Sequence, residues 1–461
     1  MDFRAPVSAA AAVASGGLAG FVLTNPRNRA WIINASDREI DRWLSSQPTG
    51  VVAALVLAVV TVAGLQRSGS RRASWLVAAL CALVLIGARW AVPQVSGIDA
   101  LIVLHFAKTS AAGILIGCAV AAVWGRWWPQ LALTLGVAIA FVLASVQRLP
   151  RAGADYLEPA TESTSTIGEP PLWLLLGVLL LTLMAAALAQ PRFRVQTPEG
   201  TVLLTALVGA LVLAVLNRVL GAWIDDQEFG EPMTVWMIVA LSIAVLLAST
   251  AVIAHRFTQV DGRFLLTATG ATAAAVPVLD DLRVQPVTTS APALLAVGVL
   301  ALVAGIGVAV RVPPHRRKPE WGLSLSALVP LVSAIWPAFG EDSVSLLLEL
   351  VLLNVGIGFA LAAALPVSAP VAALGFVLPF ASLVFVSATN IPRSRVVYSG
   401  EYDSLGQRMI TTGFDERLPS SPASAAASDH LAGVAMLLVV GFCIYWVREQ
   451  HRAWGETQQR D

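Results

Sequence analysis

"AGLQRSGSRRASW" (residues 63–75) is a short hydrophilic gap in a greasy chain. An apolar run from Val51 to Leu65 precedes it, and another starts at Trp75. Three arginines (Arg67, Arg71 and Arg72) crowd the gap beside Gly64 and Gly69. A loop with this composition between two apolar runs reads as a basic connection between two membrane helices. Glycines permit a tight turn there, and arginines hold the loop on one side of the bilayer and reach helix ends.

The rest of the chain repeats the pattern. It has 461 residues, of which 57% are hydrophobic and 13% charged, with a mean hydropathy of +0.74. Soluble domains carry about twice that charged fraction. Fourteen apolar segments run along it: 7–24, 51–66, 75–95, 99–124, 131–147, 171–190, 201–222, 233–254, 264–279, 291–311, 321–339, 343–365, 367–388 and 430–447. Backbone in lipid must satisfy its own hydrogen bonds, so such segments fold as helices. The expected class is an all-α polytopic membrane protein with about fourteen transmembrane helices.

Charge placement orients them. With the N-terminus inside, the inner connections hold "RSGSRR", "GRWWP", "PRFR", "HRFTQVDGR", "RVPPHRRK" and "REQHR". The outer ones hold "PATESTSTIGEPP", "DDQEFGEP", "DDLRVQP", "GEDS" and the long segment 389–429. Basic residues gather on one side and carboxylates on the other, as the positive-inside rule requires. The expected location is a bacterial inner membrane with both termini cytoplasmic. The arginine-, alanine- and valine-rich, lysine-poor composition suggests a high-GC genome. A net charge of +1 gives no global field for nucleic acid. The three cysteines (Cys81, Cys118 and Cys443) are far apart and fit no metal or disulfide spacing. No cofactor, metal or catalytic residue is expected.

In the first outer loop, Ser36 and Glu39 form a capping-box pattern before Ile40, Trp43 and Leu44. It reads as a short interfacial helix or an extension of the first span. Interior prolines at 330, 337, 370 and 379 are positioned to kink their spans. Segment 389–429 is polar, ends in "SSPASAAASD", and is expected to carry little packed structure.

The stretch from Gly64 to Arg72 resembles the loop between helices 2 and 3 of the major facilitator superfamily, with Gln66 where that family has an aspartate. Gly64, Arg67, Gly69, Arg71 and Arg72 carry the likeness. "RVPPHRRK" (311–318) lies where a second repeat would put its copy. "NVGIGFALAAAL" (354–365) resembles the Gly-x-Gly stretch of the fourteen-helix drug:proton antiporters, and the ending, a long outer loop with a last helix and a basic tail, fits that branch. The likeness implies two six-helix halves, 1–190 and 264–461, with a helical hairpin at 191–263 between them. It also implies a secondary transporter that exports a lipophilic or amphipathic small molecule or lipid by alternating access, coupled to protons. Two features depart from the branch: the frame of "WIIN" (31–34) puts Arg29 where a carboxylate belongs, and the fifth span lacks a Gly-Pro motif.

Ionisable groups inside apolar spans are costly and mark function or pairing. His105 and Lys108 lie in the fourth span, three apart on one face, and Glu349 lies in the twelfth. The family's helices at those positions line one central cavity, so these three are the candidate coupling or substrate site. Arg89 and Arg218 sit near outer ends, where they reach the surface or meet Asp225 and Asp226. Two other readings compete. One is a transport-inactive scaffold with a transporter fold, whose 389–429 segment docks an envelope partner protein. The other is a lipid-linked glycosyltransferase using Asp37, Glu39 and Asp41 of "SDREIDRW". The expected partners are the lipid bilayer and a small-molecule or lipid substrate.

Overall fold

The computed structural model describes residues 3–24, 37–95, 97–143, 146, 169–189, 200–225, 232–284, 290–313, 316–389 and 422–458. Every regular element among them is helical. In chain order these are α1 (Arg4–Thr24), α2 (Asp37–Ser68), α3 (Arg71–Ala91), α4 (Ile98–Val123), α5 (Trp127–Leu143), α6 (Leu172–Leu188), α7 (Gly200–Asp225) and α8 (Pro232–Arg256). Then come α9 (Gln259–Val284), α10 (Ala291–Arg311), α11 (Pro319–Ser326), α12 (Leu328–Ile335), α13 (Ser343–Ala363), α14 (Ala369–Thr389) and α15 (Pro422–Gln458). Each of the fourteen apolar segments falls on helix, with α11 and α12 sharing the eleventh. Among the described residues, ten helices are long and apolar enough to cross a membrane, and four more apolar helices are shorter. The protein is an all-α, multi-pass membrane protein.

The basic gap folds as a tight turn. α2 ends at Ser68, Gly69 takes φ 61°, and Ser70 caps α3 by accepting from the Ala73 N–H at 3.2 Å. Only a residue without Cβ takes that φ at no cost, so the turn depends on Gly69. Gly64 has a different place from the expected one. It sits inside α2 with open space around it, so the turn does not use it. The capping-box stretch also differs: Asp37 to Ser46 are the first turns of α2, continuous with its apolar part through Pro48. They are neither a separate helix nor a continuation of α1.

The prolines divide in their effects. Pro330 cannot donate to the carbonyl of Ser326, and the helix breaks there between α11 and α12 at Ala327. Pro379 lies inside α14, Pro370 in its first turn, and Pro337 opens a short 3-10 turn, Pro337–Glu341, ahead of α13. Last, α9 begins at Gln259, so the expected boundary at 264 falls inside a helix.

Packing follows a repeated scheme. α1 packs on α4, α5 and α6, and α9 packs on α13, α14 and α15. α2 packs on α4 as α10 does on α13. α3 packs on α4 and α6 as the α11–α12 unit does on α13 and α15. The two sets meet where α2 lies on α14 and α5 on α10. α7 and α8 stand outside this scheme, against α2, α9 and α14.

Lipid offers no hydrophobic drive between helices, so close approach of small residues carries much of the association. A Cβ on Gly113 of α4 would lie 2.5 Å from the Ala54 carbonyl oxygen of α2. The Gly-x-Gly stretch of α13 works the same way in two directions. A Cβ on Gly356 would meet the Gly322 carbonyl of α11 at 2.6 Å, and one on Gly358 the Leu302 carbonyl of α10 at 2.5 Å. Backbone cannot step aside as a side chain can. Gly113→Val is therefore expected to cost about 1–3 kcal/mol, read as a fall in the thermal midpoint of the detergent-solubilised protein. Gly64→Val should leave the midpoint unchanged.

Where the two sets meet, Phe141 of α5 stacks edge-on to Phe380 of α14 at 5.6 Å, and within the second set Phe264 of α9 stacks edge-on to Phe376 of α14 at 5.4 Å. The one close approach of cysteines joins α3 and α4, where the Cys81 and Cys118 thiols adjoin as free, buried groups.

Candidate functional site

The three candidate residues have separate surroundings. His105 lies against α2: its Nε2 is 3.4 Å from the Gln47 carbonyl oxygen, and its ring is edge-on to Trp43 at 6.0 Å. Gly50 makes room for it, since a Cβ there would be 2.7 Å from His105 Nε2. The helix approach and the histidine are thus one packing unit.

Lys108 points elsewhere. Its Nζ donates to Glu169 Oε1 at 2.5 Å, with both side chains nearly buried (12% and 8% exposed). Glu169 stands just ahead of α6, and Arg89 of α3 donates to the next carbonyl, Pro170, at 2.6 Å. Two cations from α3 and α4 therefore pin the start of α6. Arg89 thus meets this backbone, while the Asp225 side chain and the whole of Asp226 lie outside the described residues. A buried ion pair adds little by itself, but breaking one leaves an uncompensated charge, at about 3–5 kcal/mol. Lys108→Met should therefore destabilise strongly, and Lys108→Met with Glu169→Met should recover most of the loss, in a thermal-unfolding series.

Glu349 belongs to the second helix set. It is 3% exposed, and its Oε2 is buried without a hydrogen-bond partner. It faces the 3-10 turn and the far end of α9: a Cβ on Gly340 would lie 3.2 Å from Glu349 Oε2 and would also collide with the Asp281 carboxylate. Two carboxylates thus border one small space closed by a glycine. Sequence reasoning singled out Glu349 and missed Asp281, which reads as one of two acids in the polar "DDLRVQP" connection. The two carboxylates are 68 residues apart in the chain, on α9 and α13, with the turn between them.

The opposite end of the bundle carries a second polar cluster. Trp124 Nε1 donates to the Val367 carbonyl at 2.9 Å, and its ring is edge-on to Phe376 at 6.3 Å. Asp261, 2% exposed, accepts from the Val367 and Ser368 N–H groups at 2.7 and 3.0 Å, just ahead of α14. A carboxylate on the orphan donors of a helix start is well placed for both hydrogen bonding and the helix dipole. Arg71 donates to the Trp124 carbonyl at 3.3 Å, and Arg126 donates to Ser8 Oγ at 2.8 Å. Burial holds the Arg126 guanidinium below the usual arginine range. Arg317 lies over the Trp127 ring at 5.3 Å. So Arg71 of the basic turn joins this cluster, while Arg67 and Arg72 are exposed. Asp261 was legible only as the lone acid in "HRFTQVDGR".

Between the sets lies a small apolar cavity of about 20 Å³, bordered by Phe141 of α5, Ala268 and Ala271 of α9, Ile357 of α13, and Phe376 of α14. In the first helical turns of α2, Arg42 pairs with Asp99 at 3.1 Å, both exposed. Asp37 and Asp41 have side chains outside the described residues, as does the whole of 390–421. Among the described residues no cluster of His, Cys, Asp or Glu could hold a metal ion. No known family model matches this chain, and no curated protein matches it.

Proposed function

We propose that this chain is a secondary transporter of the major facilitator type, with fourteen crossings, which exports a lipophilic or amphipathic molecule from a bacterial cell by alternating access. On this reading the end bearing Arg71, Trp124 and Arg317 is cytoplasmic, the halves are α1–α6 and α9–α15, and α7 and α8 are an insert. The observation that carries it is the repeated packing scheme. The two helix sets share one internal pattern, and their cross-contacts, α2 on α14 and α5 on α10, exchange under the repeat. Two like units meeting along such seams can rock about a site between them.

The apolar walls of the central cavity favour a greasy cargo over a charged one. The coupling group in this reading is Glu349 with Asp281. Glu349 is buried and its Oε2 has no hydrogen-bond partner, which is costly for an ionised carboxylate, so in this reading Glu349 takes up a proton here and releases it when the space beside Gly340 opens. Lys108, neutralised by Glu169, holds α6 in place. His105 packs α4 on α2.

Flux through proteoliposomes tests the proposal, using a panel of lipophilic dyes and an imposed pH gradient. Dye movement that follows the gradient is the expected result. Absence of movement for every dye, from protein shown to be folded, would overturn it in favour of the scaffold reading.

A further inference from the structure

A cavity of about 80 Å³ lies away from the central seam. It sits between α7 and α8 on one side and α9, α14 and α15 on the other. Its wall is almost wholly aliphatic, with Met436 of α15 as an adaptable member. No charged residue lines it. The polar atoms come from Asn217 of α7, Thr250 of α8, Thr269 and Thr272 of α9, and Ser382 of α14.

Three of these side chains have their protons already engaged. Thr269, Thr272 and Ser382 donate their hydroxyl protons to carbonyls one turn back, Leu265 at 3.0 Å, Ala268 at 2.8 Å and Leu378 at 3.1 Å. Only their lone pairs remain. Asn217, 1% exposed, donates through Nδ2 to the Leu213 carbonyl at 2.8 Å. A carbonyl can only accept, so the amide nitrogen faces Leu213 and Oδ1 is left over. That Oδ1 is buried and has no hydrogen-bond partner. A buried, unsatisfied acceptor in an apolar wall costs about 1–3 kcal/mol unless something donates to it.

We propose that this cavity is a binding site for a neutral lipid-like molecule with a hydroxyl group, whose O–H donates to Asn217 Oδ1 while its hydrocarbon fills the aliphatic wall. Neutrality follows from the uncharged lining. The need for a donor follows from the unsatisfied Asn217 Oδ1, which the engaged hydroxyls of Thr269, Thr272 and Ser382 do not serve. The cavity is not sealed, so it seats the hydroxyl end while the remaining chain continues outside. This site is separate from the Glu349–Asp281 space and stands whether or not the chain transports.

Photolabelling of the full-length protein in nanodiscs tests it, using a diazirine-bearing dodecanol with mapping of the labelled peptides. Label is expected on α7, α8 and α9. Dodecanol should compete at about tenfold lower concentration than methyl dodecyl ether, which lacks the donor. Asn217→Leu should bring the two competitors level. Ala273→Phe, and independently Leu247→Trp from the α8 wall, should remove the label from protein that still elutes as a folded monodisperse species. Equal competition in the unaltered protein would overturn the proposal. So would label confined to helices that do not line the cavity, or a preference for the alcohol that survives Asn217→Leu.

Discussion

Glu349→Gln is expected to reduce pH-gradient-driven transport to the level of empty vesicles while exchange of substrate at equal pH continues. The argument rests on place and burial. Glu349 is nearly inaccessible, its Oε2 has no hydrogen-bond partner, and it borders the same small space as the Asp281 carboxylate. An amide cannot take up or release the coupling proton, but it has nearly the same volume and can donate to a neighbouring carboxylate. The variant should therefore fold as well as the parent, with a thermal midpoint equal or higher by the worth of one hydrogen bond, about 1 kcal/mol. Retained gradient-driven flux would make Glu349 a structural group. Loss of exchange together with gradient-driven flux would place it at the substrate instead.

The second large effect is expected at the other end. Trp124 and Asp261 hold the start of α14 through three hydrogen bonds, two of them to a charged acceptor. Bonds to charged groups are worth about 1.5–3 kcal/mol each, and a neutral one about 1. Asp261→Ala combined with Trp124→Phe keeps an aromatic ring against Phe376 and removes all three bonds. It should shift the opening equilibrium by about 3 kcal/mol or more, which is a factor of ~100. A cysteine at Ala271, in the wall of the central cavity, reports it in a background where Cys81, Cys118 and Cys443 are replaced. Its alkylation by a membrane-impermeant maleimide added at the basic end should accelerate by up to that factor. An unchanged rate would mean that the Trp124–Val367 contact does not gate the cavity.

The element pattern was open to sequence reading because lipid imposes it. An apolar run has only one way to satisfy its backbone, so each run appears as helix, and the turn at Gly69 sits where the basic gap predicts it. What stayed hidden depends on distant partners. Lys108 reads as a free cation until Glu169, 61 residues on, is folded beside it. Asp261 reads as a loop acid until its Oδ1 reaches Val367, 106 residues away. Gly64 and Gly69 look equivalent in the string, and only the helix boundary separates them. The grouping of His105 and Lys108 with Glu349 assumed that all three face one cavity. Their neighbours instead are α2, the start of α6 and the far end of α9, respectively. Side-chain direction across an interface is set by packing, which periodicity alone does not encode.

Alternating access itself is tested most directly without knowing the substrate. Spin labels at Arg72 and Arg311, both exposed and in different halves at the basic end, report the distance between the halves by pulsed electron resonance in nanodiscs. The account predicts two distance populations whose ratio changes between acid and alkaline pH, and a ratio fixed against pH in Glu349→Gln. A single distance at every pH, from protein shown to be folded, would contradict it and leave a rigid membrane scaffold.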